Sequence, residues 1–121
     1  MAIIPIMRCR NLRASVAFYT GILDFERVDD GDDPEECSVI PLRRDGDEVL
    51  LSADDGVFET VLVVTTDEID ELCRRFRERG LRTPGDPNAP KLVHEGPIVQ
   101  TWGTREFYVE DPDGNTLRFT Q

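Results

Sequence analysis

The sequence predicts an α+β fold built from two copies of a β-α-β-β-β unit, and three observations predict it. Asp45-Gly46 and Asp113-Gly114 stand 68 positions apart, each between β-forming runs. At the same offset Val39 meets Phe107, Val49 meets Leu117 and Leu51 meets Phe119. Ahead of each hairpin stand a strand and a helix closed by a glycine, Gly21 in one copy and Gly80 in the other. A chain of 121 residues is one domain's worth. The expectation is a single domain over 1–121, with modules at about 1–53 and 57–121. One helix covers only one face of a four-stranded sheet. The other face has to meet a partner module, a second subunit or a ligand.

Ile3 to Cys9 reads as a first strand. Pro5 inside it places that strand at an edge or at a point of exchange between subunits. Asn11 is suited to cap a helix running to Thr20, with Leu12, Val16 and Tyr19 on one face and Gly21 as a stop. Ile22 to Val28 leads into a strand. Asp29 to Glu36 holds six carboxylates in eight residues, which predicts a solvated loop; a calcium loop needs a different spacing. Cys37–Leu42 and Glu48–Ser52 form a hairpin about Asp45-Gly46, 53–56 is a linker, and Phe58–Thr65 is a further β run. Thr65–Arg79 is the clearest helix. Thr65 and Glu68 have capping-box spacing, Ile69, Leu72, Cys73 and Phe76 make a buried stripe, and arginines crowd its end. Thr83–Thr104 carries four prolines, with a strand in part of Ile98–Thr101. Arg105–Glu110 and Thr116–Thr120 form the last hairpin around Asp111-Pro112-Asp113-Gly114-Asn115.

The net charge of −11 argues against nucleic acid and fits a cationic ligand, although an acidic surface also serves solubility alone. No apolar run reaches the length of a membrane span, and no secretory pattern opens the chain, so a cytoplasmic protein is expected. Three cysteines without CxxC spacing read as reduced core thiols.

Alternation sorts the strands' side chains between faces. If Phe107, Val109, Leu117 and Phe119 pack on the helix, then Glu106, Tyr108, Arg118 and Thr120 line a concavity. By the repeat, Leu50 and Ser52 line it from the other half.

Trp102-Gly103, then Arg105-Glu106-Phe107, then the turn at 111–115, then the apolar-x-Phe ending, resemble the last third of bleomycin resistance proteins, in the glyoxalase / vicinal-oxygen-chelate superfamily. Pro5 in the first strand is similar too. The resemblance implies paired modules forming a cupped mixed sheet, a homodimer that exchanges its first strand, and a groove at the interface that sequesters a drug. Ser52, in its Leu-Leu-Ser-Ala context, resembles a groove-lining serine of those binders. The groove so inferred is lined by Trp102, Tyr108, Phe58, Leu50 and Ser52, with Glu106 and Arg118 as its polar groups. Aromatic walls hold a planar ring by stacking, worth ~0.5–1.5 kcal/mol per pair.

The superfamily's enzymes hold a divalent metal through His or Glu, one from each module's first strand and a Glu from the final strand. Here those positions carry Ile4, Thr60 and Arg118, and the single His94 lies in the long loop. Neither metal nor cofactor is therefore expected. The leading reading is a non-catalytic binder of a planar, cationic antibiotic or related compound. Thr101 and Arg118 depart from the family's pattern and leave room for a different planar metabolite, anionic at the Arg118 end. Two alternatives stand beside it. One is a metal-independent isomerase or lyase with Glu106 as base. The other is an interaction protein whose concave faces meet only each other.

Overall fold

The computed structural model describes residues 3–29, 31, 33–53, 59–81, 97–99 and 103–121. Its elements run β1 (Ile6–Arg8), α1 (Leu12–Gly21), β2 (Glu26–Arg27), β3 (Val39–Arg44), β4 (Asp47–Ser52), β5 (Val61–Thr65), α2 (Ile69–Glu78), β6 (Ile98–Val99), β7 (Arg105–Glu110) and β8 (Thr116–Thr120). The sheets have the orders β1-β4-β3-β2 and β5-β8-β7-β6. Each therefore has its first strand parallel to its last and the remaining pairs antiparallel. The β-α-β-β-β unit is present twice. Two compact units result, one of Met1–Thr60 with Asp111–Asn115, the other of Val61–Glu110 with Thr116–Gln121.

In the first unit Asn11 caps α1 by accepting from the Ala14 N–H at 3.0 Å. Such a cap is worth about 1 kcal/mol. Leu12, Val16 and Tyr19 are buried as the periodicity requires, and they meet Met7, Ile40, Leu42, Val49 and Leu51 of the sheet's inner face in a single core. Gly21 is the last helical residue rather than a left-handed stop. The positive φ falls at Asp24 (66°), just before β2. Asp45 and Gly46 close the β3–β4 hairpin with φ of 52° and 90°, the paired left-handed residues of a type I′ turn.

The turn at Asp111–Asn115 has a second occupation in this unit. Asp111 accepts from the N–H groups of Asp113 (2.8 Å) and Asn115 (2.9 Å), which closes the turn. It also accepts from the Tyr19 hydroxyl at 2.8 Å, and Tyr19 is fully buried. Asp113 accepts from the Arg10 N–H (3.0 Å) and the Ser15 hydroxyl (3.2 Å). Asn115 donates to the Arg8 carbonyl and accepts from the Thr60 N–H, both at 2.9 Å. Burial and the neighbouring Asp111 carboxylate push the Tyr19 phenol above its ordinary range.

The described part of the acidic segment is mostly solvent-exposed, as expected, and carries one short turn of local structure. Asp33 caps a short 3-10 helix, Pro34–Glu36, and Arg13 pairs with Asp33 at 2.7 Å and with Glu35 at 3.3 Å. Oppositely charged neighbours offset the self-repulsion expected there. Asp30 and Asp32 lie outside the described residues.

In the second unit Ile69, Leu72, Cys73 and Phe76 of α2 are buried as predicted, against Phe107, Val109, Leu117 and Phe119. Phe107 and Phe119 stack at 5.0 Å, and Phe76 meets Phe119 edge-on at 5.3 Å. The expected capping box is absent. Thr65 belongs to β5, opposite Thr120, and α2 starts four residues later. The Ile69 N–H is satisfied instead by the Gln121 side chain at 3.0 Å, and the Glu68 N–H by the Thr66 hydroxyl at 3.1 Å. Gly80, at φ 104°, ends the helix as expected.

The repeat offset needs one correction. It is 68 for β4 against β8, where Val49 and Leu117, then Leu51 and Phe119, are all buried. For β3 against β7 it is 67, because the turn after β7 is one residue longer between equivalent ladder pairs. Ile40, not Val39, is thus the counterpart of Phe107, and Val39 lies on the opposite, exposed face. A slip of one residue exchanges faces along a whole strand.

Cys9 and Cys73 are buried free thiols, whereas Cys37 is half-exposed and not a core residue. Among the described residues no helix is long and apolar enough to cross a membrane.

Candidate functional site

The face of the second sheet turned away from α2 carries three of the residues singled out from the sequence. Glu106, Tyr108 and Arg118 follow from alternation on β7 and β8, and the ladder sets Tyr108 directly opposite Arg118 and Glu106 opposite Thr120. Arg118 donates through Nη2 to both carboxylate oxygens of Glu106, at 2.9 and 3.1 Å. Its guanidinium carbon lies 5.2 Å from the centre of the Tyr108 ring, within cation–π range. Glu106 is only 2% exposed. The hydrogen bonds to Glu106 hold the Arg118 guanidinium above its ordinary value, outweighing the effect of burial. Val63, opposite Arg118 on β5, and Val61 add exposed apolar surface to this face.

Arg105, next to Glu106 in sequence, lies on the other side of the strand and pairs with Asp70. Glu106 as a general base meets an obstacle of its own. The carboxylate is buried and paired with Arg118, so a substrate proton would have to reach a group with little access.

Leu50 and Ser52 share the corresponding face of the first sheet. Leu50 lies between Ile6 and Pro41, and Ser52 between Arg8 and Val39. Ser52 is buried, and its carbonyl accepts from the Cys9 N–H at 2.9 Å. Ile6 and Val39 are about half exposed, and the register puts Arg8, Arg43 and Glu48 on the same face, which is therefore mixed. Trp102, Phe58 and His94 lie outside the described residues. The first unit also has a cleft of about 250 Å³ at the start of α1, lined by Arg10, Arg13, Glu35 and Cys37 among others. Nothing in the sequence reading pointed to it, nor to the Tyr19–Asp111 contact. Tyr19 reads as one member of an apolar stripe, and the 111–115 segment reads as a turn only.

The description Glyoxalase/Bleomycin resistance protein/Dioxygenase superfamily matches residues 3–119. The chain belongs to that superfamily. No curated protein matches it in sequence. Among solved structures, a bleomycin-binding protein complexed with bleomycin is similar, with a TM-score of 0.78 and 23% identity over 100% of this chain and 98% of that one. A bleomycin resistance determinant encoded on transposon Tn5 gives 0.76 and 22%, over 100% and 97%. A lactoylglutathione lyase from Agrobacterium tumefaciens gives 0.71 and 19%, over 98% and 92%. At these identities the likeness establishes the fold.

The superfamily implies a divalent metal in some members, and the side chains at the expected positions do not fit one. Ile4 has no donor atom. The Thr60 hydroxyl donates to the Ile6 carbonyl at 3.1 Å. Arg118 is a fixed cation bound to Glu106.

Proposed function

We propose that this protein binds a planar organic compound of the bleomycin type without transforming it, as a homodimer with a groove at the subunit interface. The observation that carries the reading is the Glu106–Arg118–Tyr108 cluster. At the position of a metal-holding carboxylate stands an arginine, locked to a buried partner on the helix-free face of the sheet. That arrangement suits holding a ligand better than activating one. Exposed Val61 and Val63 on this face supply apolar surface for a flat body. Burial then gives the affinity, while the acidic field speeds a cationic ligand's approach. Exchange of the first strand between subunits is supported by Ile3, 95% exposed, and by Pro5 just ahead of β1. The bleomycin-bound relative supports the choice of ligand class.

Calorimetric titration with bleomycin at moderate salt tests the reading, alongside sedimentation for the dimer. Saturable heat with a change in tryptophan fluorescence is the expected result. No heat and no fluorescence change would sink it.

A further inference from the structure

We infer that Asp45, at the tip of the first repeat's hairpin, is a site of spontaneous covalent modification that converts to isoaspartate through a succinimide, whereas Asp113 in the second repeat's turn is protected. Asp-Gly is the favourable dipeptide for this reaction, because glycine has no Cβ to hinder attack by its own amide nitrogen. The chain has such pairs at 30–31, 45–46, 55–56 and 113–114. Asp30 and residues 55–56 lie outside the described residues, which leaves the two hairpin turns to compare.

Ring closure needs a carboxyl group and the following amide nitrogen to be at liberty to meet. In the first turn they are. The Asp45 side chain is 83% exposed and is met on one oxygen, by Arg44 at 3.2 Å. The Gly46 N–H makes no hydrogen bond to a described residue. In the second turn both groups are held. One Asp113 oxygen accepts from the Arg10 N–H at 3.0 Å and the other from the fully buried Ser15 hydroxyl at 3.2 Å. The Gly114 N–H, the would-be nucleophile, donates to the Asp111 carbonyl at 3.2 Å. One dipeptide thus stands open at an exposed tip and the other is fastened into the first unit.

The reaction needs no reagent but water. The Gly46 nitrogen bonds to the side-chain carbonyl carbon of Asp45 in its acid form, and the carboxyl hydroxyl leaves with the amide proton as water. Water then reopens the ring. Cleavage at the side-chain carbonyl restores aspartate. Cleavage at the main-chain carbonyl routes the backbone through the side chain and frees an α-carboxylate, with the parent's mass and one extra main-chain carbon. A two-residue turn fixes the register of its hairpin, so that extra carbon falls first on the Arg44–Asp47 end pair. The freed α-carboxylate is the group that an isoaspartyl carboxyl methyltransferase accepts.

The test is to incubate the folded protein at neutral pH, digest it, and separate the isobaric aspartyl and isoaspartyl peptides, assigning each by fragmentation. Enzymatic methylation of isoaspartyl carboxylates gives a second count. Isoaspartate should build up in the 45–46 peptide about tenfold faster than in the 113–114 peptide, the factor for breaking one charge-assisted hydrogen bond. In urea the two peptides should convert at comparable rates, because the protection belongs to the fold. Asp45→Glu, whose ring would be larger, should stay unmodified at 45. Ser15→Ala, with its fold checked by circular dichroism, releases one Asp113 oxygen and should raise conversion there. Equal conversion at the two sites in the folded protein, or faster conversion at 113–114, overturns the inference. So does an Asp45 that stays unmodified in the folded protein while the unfolded chain reacts.

Discussion

Leu50 in the first repeat and Arg118 in the second stand at equivalent points of two equivalent ladders. So do Pro41 and Tyr108, Val39 and Glu106, and Ile6 and Val63. At these four points one sheet has apolar side chains where the other has an ion pair seated on an aromatic ring, while Arg8, Arg43 and Glu48 stand elsewhere on the first sheet's open face. Beneath them the helix-covered faces agree, with Ile40, Leu42, Val49 and Leu51 answering to Phe107, Val109, Leu117 and Phe119. The two units agree in character on the face the helix covers and differ on the face it leaves open.

The comparison can be broken first at the covered faces. Phe119→Ala should cost ~3–5 kcal/mol, because it removes the ring that both Phe76 and Phe107 contact. Its counterpart Leu51→Ala should cost ~2–5 kcal/mol. Urea unfolding measures both, and a cost under about 1 kcal/mol for either would mean that the cores are not equivalent.

Next come the open faces. Arg118→Met strands a buried carboxylate and should cost ~3 kcal/mol, the low end for breaking a buried pair because Arg118 is partly exposed. The double change Glu106→Val with Arg118→Leu copies the first repeat's Val39 and Leu50. It should return stability to within ~1 kcal/mol of the parent, since apolar residues commonly replace a buried pair at no net loss. A double variant as unstable as the single one would mean that the ion pair is needed for folding and not for specificity.

A smaller effect separates the two hairpin turns. Tyr19→Phe should cost ~1–3 kcal/mol by removing a donor to buried Asp111. The folded-state phenol ionises at higher pH than the unfolded one, whose pKa is about 10. Above that pH the unfolded state binds fewer protons, so stability falls as pH rises. Urea midpoints from pH 8 to 10.5 should fall less steeply in Tyr19→Phe than in the parent. The smallest effect, about 1 kcal/mol, is expected for Asn11→Ala at the cap of α1, read as a shifted urea midpoint.

The last hairpin was legible to the residue: β7 and β8 have the bounds that the β-formers and turn residues set. The two helices and their buried stripes were legible as well. The phase between the repeats was not. Superposing the Asp-Gly pairs hides the difference between a two-residue turn and a five-residue one, so only the strands after the turn stay in step. The start of α2 was misjudged for another reason. Its donor is met by Gln121, 52 residues away, and local patterning cannot report a partner at that separation. For the candidate site, alternation placed Glu106, Tyr108 and Arg118 on one face. The depth at which Glu106 is buried was not legible, because burial depends on the fold and not on spacing.

Arg8, Arg10, Ser15, Tyr19 and Thr60 all take hydrogen-bond partners from Asp111–Asn115, 55 to 107 residues away in sequence. During synthesis, then, the amino-terminal repeat waits with an unsatisfied tyrosine and open main-chain donors until the turn at 111–115 has left the ribosome. The half made first is among the last to be completed.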